Sequence, residues 1–324
     1  MSIRDRDVLT ITISTALDSL ILNKKKDRYF PAHLSYVGPD GKMKHSNIKI
    51  KPRGRSRRNA CDFPPLKLKF SKKELATQGI RGAHKSLKLV THCSEDADAV
   101  QNVLEEYLAY KIYNELTGNS LKVQLVKVNY EDTESETSLN RYAILIEDID
   151  ELAERLAGEE VEGFGKEIKD FDRELMNIFA MFQYMIGNED WRLAFQRNVK
   201  FIKSNKMDKL IPIPYDFDAS GLVNAGYAKP DRDLQLKAVT QRAFMGYFKH
   251  KEERAKTVAL FNDKKDAIYQ TISKNTTLNK EEIKNILTYF NGFYEIINSP
   301  KLLKKAVPLK GRKSEPTSES GKYN

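Results

Sequence analysis

GNEDWRLAFQRNVKFIKSNKMDKLIPIPYDFD, residues 187–218, is the stretch whose reading decides the fold. Directly before it, DRELMNIFAMFQYMIG reads as a strongly apolar, buried helix that Gly187 ends. After a polar loop come the strand NVKFI, a turn at SNKMDK and the strand LIPIPYDFD. A β-hairpin brings its two outer ends together, so Asn198 and Asp216 are expected to be neighbours. Asp190, eight residues before Asn198, lies within loop reach of both.

These residue types suit one chemistry. Mg²⁺ takes hard oxygen ligands, usually one or two carboxylates completed by phosphate oxygens and water. Asn198 and Asp216 offer such oxygens, while Asp190, left off the metal, can orient a hydroxyl and accept its proton. Phosphoryl transfer asks a protein for little beyond that positioning and charge neutralisation. Taken singly, each residue is an ordinary turn former. Only the ordered set, with this secondary structure between its members, points to a site.

Upstream, the chain reads as β-rich. FPAHLSYV and HSNIKIK flank the turn Pro39-Asp40-Gly41. PLKLKF puts Leu66, Leu68 and Phe70 on one face and Lys67 and Lys69 on the other, and SLKLV repeats the pattern around Lys88. The expectation is a small sheet with an oily face and a cationic one. Val100, Val103, Leu104, Tyr107, Leu108, Ile112 and Leu116 then recur at helical spacing, with Glu106 off that apolar stripe. Strands KVQLVKVNY and RYAILI follow, then a short helix near Ile149–Leu156 and a Gly/Glu-rich stretch, GEEVEGFGKE, read as a surface loop. Residues from about Asp231 to Leu303 are expected to be helical, and the polar tail LKGRKSEPTSESGKYN disordered.

With these elements in hand, GNEDW…RN and PYDFD resemble the N-x-D…N and P-W/Y-D-F/L-D segments of the bacterial CotH spore-coat kinases. KPRGRSRR and LKLKF are similar to their Arg-Gly-Ser strand and the Lys-bearing strand after it, so the likeness spans roughly Ile48 to Gly221. The resemblance implies an α+β, two-lobed, protein-kinase-like fold: a small β-rich N-lobe with one long helix (1–150), a larger, mostly helical C-lobe (151–305) and a disordered tail (306–324). It implies ATP with Mg²⁺ or Mn²⁺ as cofactors, and transfer of the γ-phosphoryl group to a hydroxyl of a protein partner. Asp190 would be catalytic; Asn198 and Asp216 would hold metal, with Asp218 as a further ligand. Arg53, Arg57, Lys67, Lys69 and Lys88 are the candidate phosphate cations, Glu106 (with Glu105 as the other choice) the helix glutamate that fixes one of them. Glu147 resembles a position in the lobe connection near the adenine. Which lysine pairs with which glutamate stays open. The Asp–Asn gap of eight exceeds the five of ordinary kinases, and no GxGxxG loop is present, an absence that CotH-like proteins share. Adenylylation or glutamylation on the same fold, and a non-catalytic structural or adhesion role, are the alternatives.

Composition bounds these readings. The 324 residues are 40% apolar and 31% charged, enough for a real core. The net charge of +10 is unevenly spread: residues 1–92 carry 21 Lys/Arg against 7 Asp/Glu, residues 93–192 carry 9 against 24, and the remainder 25 against 14. A protein that only coats nucleic acid has no use for so acidic a middle. RGRSRR has few interleaved aromatics and no reading motif, so nucleic acid is not the expected partner. No apolar run is long enough to span a membrane. The N-terminus carries no leader signature, which reads as cytoplasmic as written, or as secreted or periplasmic if a leader has been removed. Cys61 and Cys93 either form one disulfide in an exported protein or stay as two buried thiols, the plainer reading; with His92 they lack zinc spacing.

Overall fold

A computed structural model describes residues 8–77 and 86–309. Its first half is a closed barrel of seven strands: β1 (Leu9–Thr15), β2 (Phe30–Val37), β3 (Met43–Pro52), β4 (Leu66–Phe70), β5 (Ser86–Val90), β6 (Val123–Asp132) and β7 (Ser138–Ile146). Around the barrel the order is β1-β2-β3-β4-β5-β7-β6. Closure comes from the parallel pairing of β1 with β6, Leu9 opposite Val126 through Thr15 opposite Asp132. The alternating pattern explains the interior: Ile13, Ile50, Leu68, Leu89 and Val128 point inward and are buried. The lysines expected on a cationic sheet face, Lys67 and Lys69, alternate to the outside. The small sheet anticipated from the sequence is thus part of a closed barrel, its oily face turned inward and its lysines outward. β1, whose TITIS alternation was not read as a strand, joins the two ends and leaves no free edge. A closed seven-stranded barrel also differs from the small lobe of an ordinary protein kinase.

Short helices α1 (Leu17–Leu22), α2 (Arg55–Ala60) and α3 (Lys72–Thr77) decorate the barrel, and the long α4 (Ala97–Leu116) lies against it. Alternation on β6 and β7 also leaves an apolar outer face, with Val123, Leu125, Ile144 and Ile146 buried under α4. Far from being a one-sided amphipathic helix, α4 is buried nearly all round, because α6 and α8 cover its other flank.

Helix α5 (Ile149–Arg155) leads to a second, three-stranded sheet of β8 (Gly158–Glu160), β9 (Val199–Ser204) and β10 (Leu210–Pro214), in the order β10-β9-β8. Part of the stretch expected to be a surface loop is therefore an edge strand, Gly158 pairing with Ser204. Helix α6 (Arg173–Ile186) is capped by the Asp172 side chain on the Leu175 N–H, is buried from Met176 onward, and ends at Gly187 in the left-handed region (φ 63°). Helices α7 (Lys251–Asp263), α8 (Lys265–Ser273), α9 (Lys280–Asn298) and α10 (Pro300–Ala306) complete the molecule. Regular helix thus begins at Lys251 rather than near Asp231; between β10 and α7 the chain is irregular. Of the expected disordered tail, Ala306 closes α10 and residues 310–324 lie outside the described residues. One apolar core runs from the outer barrel face through α4 and α6 to α9, without interruption at residue 150.

Candidate functional site

The β9–β10 hairpin pairs Val199 with Pro214, and the Tyr215 N–H donates to the Asn198 carbonyl at 3.2 Å. Asn198 and Asp216 are therefore held beside each other at the hairpin's open end. Both take positive φ, 52° and 64°, and Gln196 nearby takes 51°. Non-glycine residues enter that region at a cost of about 1–2 kcal/mol each, so the surrounding structure over-determines this corner. Part of that support is visible. Phe217 is fully buried, its ring 4.6 Å from Tyr110 and 5.4 Å from Phe182. It anchors the DFD segment so that the carboxylates of Asp216 and Asp218 flank a fixed point. The Asp216 N–H donates to the Tyr110 hydroxyl at 2.9 Å.

Asp190 leaves the end of α6 three residues after Gly187. Asn198 donates its amide N–H to both the Asp190 carbonyl (2.7 Å) and Oδ2 (2.9 Å), while Arg197 pairs with Oδ1. Burial raises the Asp190 carboxyl above the usual range, with Arg197 pulling it back. Trp191 is buried edge-on against Phe179 at 4.9 Å, a packing anchor.

Asp190, Asn198, Asp216 and Asp218 line one cavity of about 580 Å³, together with Arg57, Arg192, Arg197, Tyr227 and the Cys61–Cys93 pair. Arg57 is wedged into its acidic corner: Nη2 lies 2.5 Å from Asp218 Oδ2, 3.3 Å from Glu106 Oε2 and 3.9 Å from Asp216 Oδ1. Burial works against its charge, but Asp218, Glu106 and Asp216 prevail and hold it protonated. Burial pushes Asp216 up to about 6, aided by the like charge of Asp218 and opposed by Arg57 and Arg53. Glu106 is also raised by burial, against the pull of Arg57. Its Oε1 is buried without a partner.

The pairing that the sequence left open is therefore Glu106 with Arg57, not with a strand lysine. Lys88 sits on the outer barrel face opposite Lys67. Burial, then the charges of Arg53 and Lys200, push it down to about 8. The charge of Arg53 acts on both Lys88 and Asp216. Lys69 instead lies over the Tyr29 ring at 5.3 Å. Neither Lys67 nor Lys69 lines the cavity, and neither does Glu147. The buried Glu147 carboxylate is taken up by Arg155 (2.8 and 3.2 Å) and the Lys122 N–H (2.9 Å). Its own N–H donates to the Lys122 carbonyl. The structure thus separates Lys67, Lys69 and Glu147 from the cavity group, and Arg53 and Lys88 are not among the residues lining the cavity either. Asp218, the further metal candidate, spends Oδ2 on Arg57 and on the Tyr227 hydroxyl at 2.8 Å. The cysteines, read more plainly as thiols, are joined as a disulfide.

Sequence reasoning missed Tyr110, Tyr227, Arg197 and Lys200. Tyr110 stands four residues after Glu106 on one helix face, a spacing legible in the sequence. Arg197 immediately precedes Asn198. Tyr227 lies in the irregular segment read as helical, and Lys200 carried no signal.

The donor set fits a hard divalent cation. Among the described residues, the nearest ion-pair partner of the Asp216 carboxylate is Arg57 at 3.9 Å. Asn198 spends its N–H groups on Asp190 and keeps its amide oxygen for another ligand. Among the described residues no three His, Cys, Asp or Glu side chains gather as a metal cage. No described helix is long and apolar enough to cross a membrane.

No family model matches the chain, and no curated protein matches it. Among solved structures it is similar to the Helicobacter pylori proinflammatory kinase CtkA, at 11% identity and a TM-score of 0.39, covering 88% of this chain and 94% of that one. It is also similar to the Shewanella oneidensis MR-1 toxin–antitoxin complex of HipA, HipB and operator DNA, at 12% identity and a TM-score of 0.34, covering 65% of this chain and 57% of that one. Likeness at this level carries no functional weight, and the site's own geometry has to supply it.

Proposed function

We propose that this is an ATP-dependent phosphotransferase of the CotH-like, protein-kinase-like kind, using Mg²⁺ or Mn²⁺ and acting on a hydroxyl of a protein substrate. One observation carries the reading: Asp190, Asn198 and Asp216, spread over 26 positions, line a single cavity on a hairpin end whose backbone is held in costly conformations. Asp190 would accept the hydroxyl proton. Asn198 fixes its Oδ2, and Arg197, 60% exposed along its side chain, yields Oδ1 to the incoming group. The divalent cation, held by Asn198 and Asp216, would neutralise charge on the transferring phosphoryl group. Lys88, its charged form disfavoured by burial and then by Arg53 and Lys200, would gain from bound phosphates, while Lys200 itself is paired with Glu160 at 2.7 Å.

Intact mass spectrometry after incubation with ATP, Mn²⁺ and a generic protein substrate tests the reading and separates phosphoryl from adenylyl or glutamyl transfer. Asp190→Ala is expected to keep the nucleotide-induced rise in melting temperature but to lose transfer by roughly 10²–10⁴-fold. Asp216→Ala is expected to abolish the rise itself. Undiminished transfer by Asp190→Ala would overturn the assignment.

A further inference from the structure

The rim of the cavity beside Asp190 carries features that the proposed chemistry does not use. Between Asp190 and β9 the chain makes a tight turn, closed by Arg192 and Arg197, each donating its backbone N–H to the other's carbonyl (3.1 and 3.0 Å). Trp191 and Leu193 are buried, whereas Phe195 at the tip is 60% exposed. A second loop is latched to this turn. The Gly165 N–H donates to the Ala194 carbonyl at 2.8 Å, and the Gly163 N–H to Gln196 Oε1 at 3.2 Å. The Gln196 side-chain amide in turn donates to the Val161 carbonyl at 3.2 Å. Phe164, between those bonded positions, is 81% exposed. Apolar residues scattered singly over a surface are ordinary. Here two phenylalanines stand on loops that hydrogen bonds hold side by side, and one of them lies between two arginines that line the cavity.

The charges along this rim are unequally committed. Arg192 is spent on Asp231 at 2.9 Å and on the carbonyls of Glu189 and Trp191, both at 2.7 Å. Lys229, two residues before Asp231, also lines the cavity; it is exposed and enters no ion pair among the described residues. Arg197 pairs with Asp190, the group that receives the proton in the proposed reaction. In that step the acceptor oxygen bonds to the γ-phosphorus, the bond from phosphorus to the oxygen that leaves with ADP breaks, and the hydroxyl proton passes to Asp190. A neutral Asp190 no longer balances Arg197. A carboxylate carried by the acceptor would keep the guanidinium balanced throughout, and Lys229 would draw it to the same rim.

We propose that the acceptor is a polypeptide segment whose hydroxyl lies near a carboxylate, received by Arg197 and Lys229, and near an apolar side chain, received by Phe195 and Phe164. The inference rests on the proposed function in taking Asp190 as the group that meets the acceptor hydroxyl. It adds the substrate class: acidic and apolar around the hydroxyl, not basic.

The test compares serine peptides of equal length on the full chain. One has aspartate and leucine beside the serine, one has lysine for the aspartate, and one has alanine for the leucine. Labelled versions with the serine replaced by alanine report binding by fluorescence anisotropy, with Mn²⁺ and a non-hydrolysable ATP analogue present. Mass spectrometry reports transfer to the serine forms. The aspartate–leucine peptide is expected to bind roughly tenfold more tightly than the lysine one, an exposed ion pair set against a repulsion. Arg197→Gln is expected to cut that ratio to about twofold, the share left to Lys229, and to keep the nucleotide-induced rise in melting temperature. Because the ratio compares two peptides on one protein, any effect of the variant on the chemical step cancels. Phe164→Ser/Phe195→Ser changes two exposed positions and is expected to keep the wild-type melting temperature. It should weaken binding of the leucine peptides roughly fivefold and leave the alanine peptide unchanged.

Equal affinity for the aspartate and lysine peptides would overturn the proposal, as would discrimination that survives intact in Arg197→Gln. Indifference of the leucine peptides to the double serine change would do the same. So would self-association of the chain that this change abolishes, since the two phenylalanines would then belong to an interface between copies. Loss of the nucleotide-induced rise in Arg197→Gln would assign that arginine to ATP instead. Discrimination in binding without transfer to any peptide sinks the phosphotransferase reading and leaves the surface in place, whereas transfer without discrimination sinks the surface alone.

Discussion

Single side chains in this protein are governed by how much water they lose. Glu105 and Glu106 are adjacent on α4 and both buried, yet their situations differ. Glu106 meets a guanidinium. Glu105 accepts from the Gln101 amide at Oε1 (2.9 Å) and meets no guanidinium among the described residues, and burial pushes it up to about 7. Because the folded-state value lies above the ordinary 4.5, the folded chain holds this proton more tightly than the unfolded chain does. The resulting stability is fully present below pH 4.5 and is lost as pH rises through 7. Glu105→Gln keeps an acceptor for Gln101 and removes the charge. It is expected to stabilise the protein by on the order of 2 kcal/mol at pH 8 and hardly at all at pH 4.5, read from melting temperatures at the two pH values. Equal shifts at both would mean that packing, not ionisation, governs the site.

Among the elements, the end of α6 matters most to the cavity. Gly187 turns the chain out of the helix at φ 63°, and Asp190 follows within one short loop. The Gly187 carbonyl accepts the Gly221 N–H at 2.7 Å, and the Ile186 carbonyl accepts the Leu222 N–H at 2.9 Å. The same helix end therefore holds the segment just beyond the DFD aspartates. A methyl group at Gly187 would lie 2.3 Å from the Tyr289 hydroxyl, in a backbone region unfavourable to side chains. Gly187→Ala is expected to cost roughly 2 kcal/mol or more in chemical denaturation, adding the clash to the left-handed penalty. It should also weaken nucleotide-induced stabilisation, because Asp190 and Asp218 both hang from this junction. Gly118 has open space around its Cβ position and no positive φ, so Gly118→Ala serves as the silent control.

For the whole molecule, the outer face of the barrel is the decisive surface. Its interior is filled by its own side chains, but Val90, Val123, Leu125, Ile144 and Ile146 belong to the core shared with α4, α6 and the later helices. A fragment ending at residue 147 retains α4 but strips α6 and α8 from that helix. Such a fragment is expected to self-associate or remain unfolded, observed as aggregation or an early-eluting peak in size-exclusion chromatography. A soluble, cooperatively folding monomer would show that the barrel and α4 form an independent unit. The charge segregation along the sequence also resolves at this scale. The basic first part delivers Arg57, and the acidic middle delivers Glu106 and Asp190, to one cavity and its wall.

By itself the sequence determined most local elements and the key hairpin, because period-2 alternation, helical spacing, and the Gly and Asp/Asn signals at element ends are local properties. The convergence of Asp190, Asn198 and Asp216 was legible for the same reason: a hairpin and one loop link them. Only the tertiary structure decided that β1 closes a barrel, that Glu106 takes Arg57 rather than a strand lysine, and that Cys61 meets Cys93. Those contacts join segments distant along the chain through burial. No periodic pattern records which of several lysines, arginines or thiols will be the one deprived of water beside a given partner.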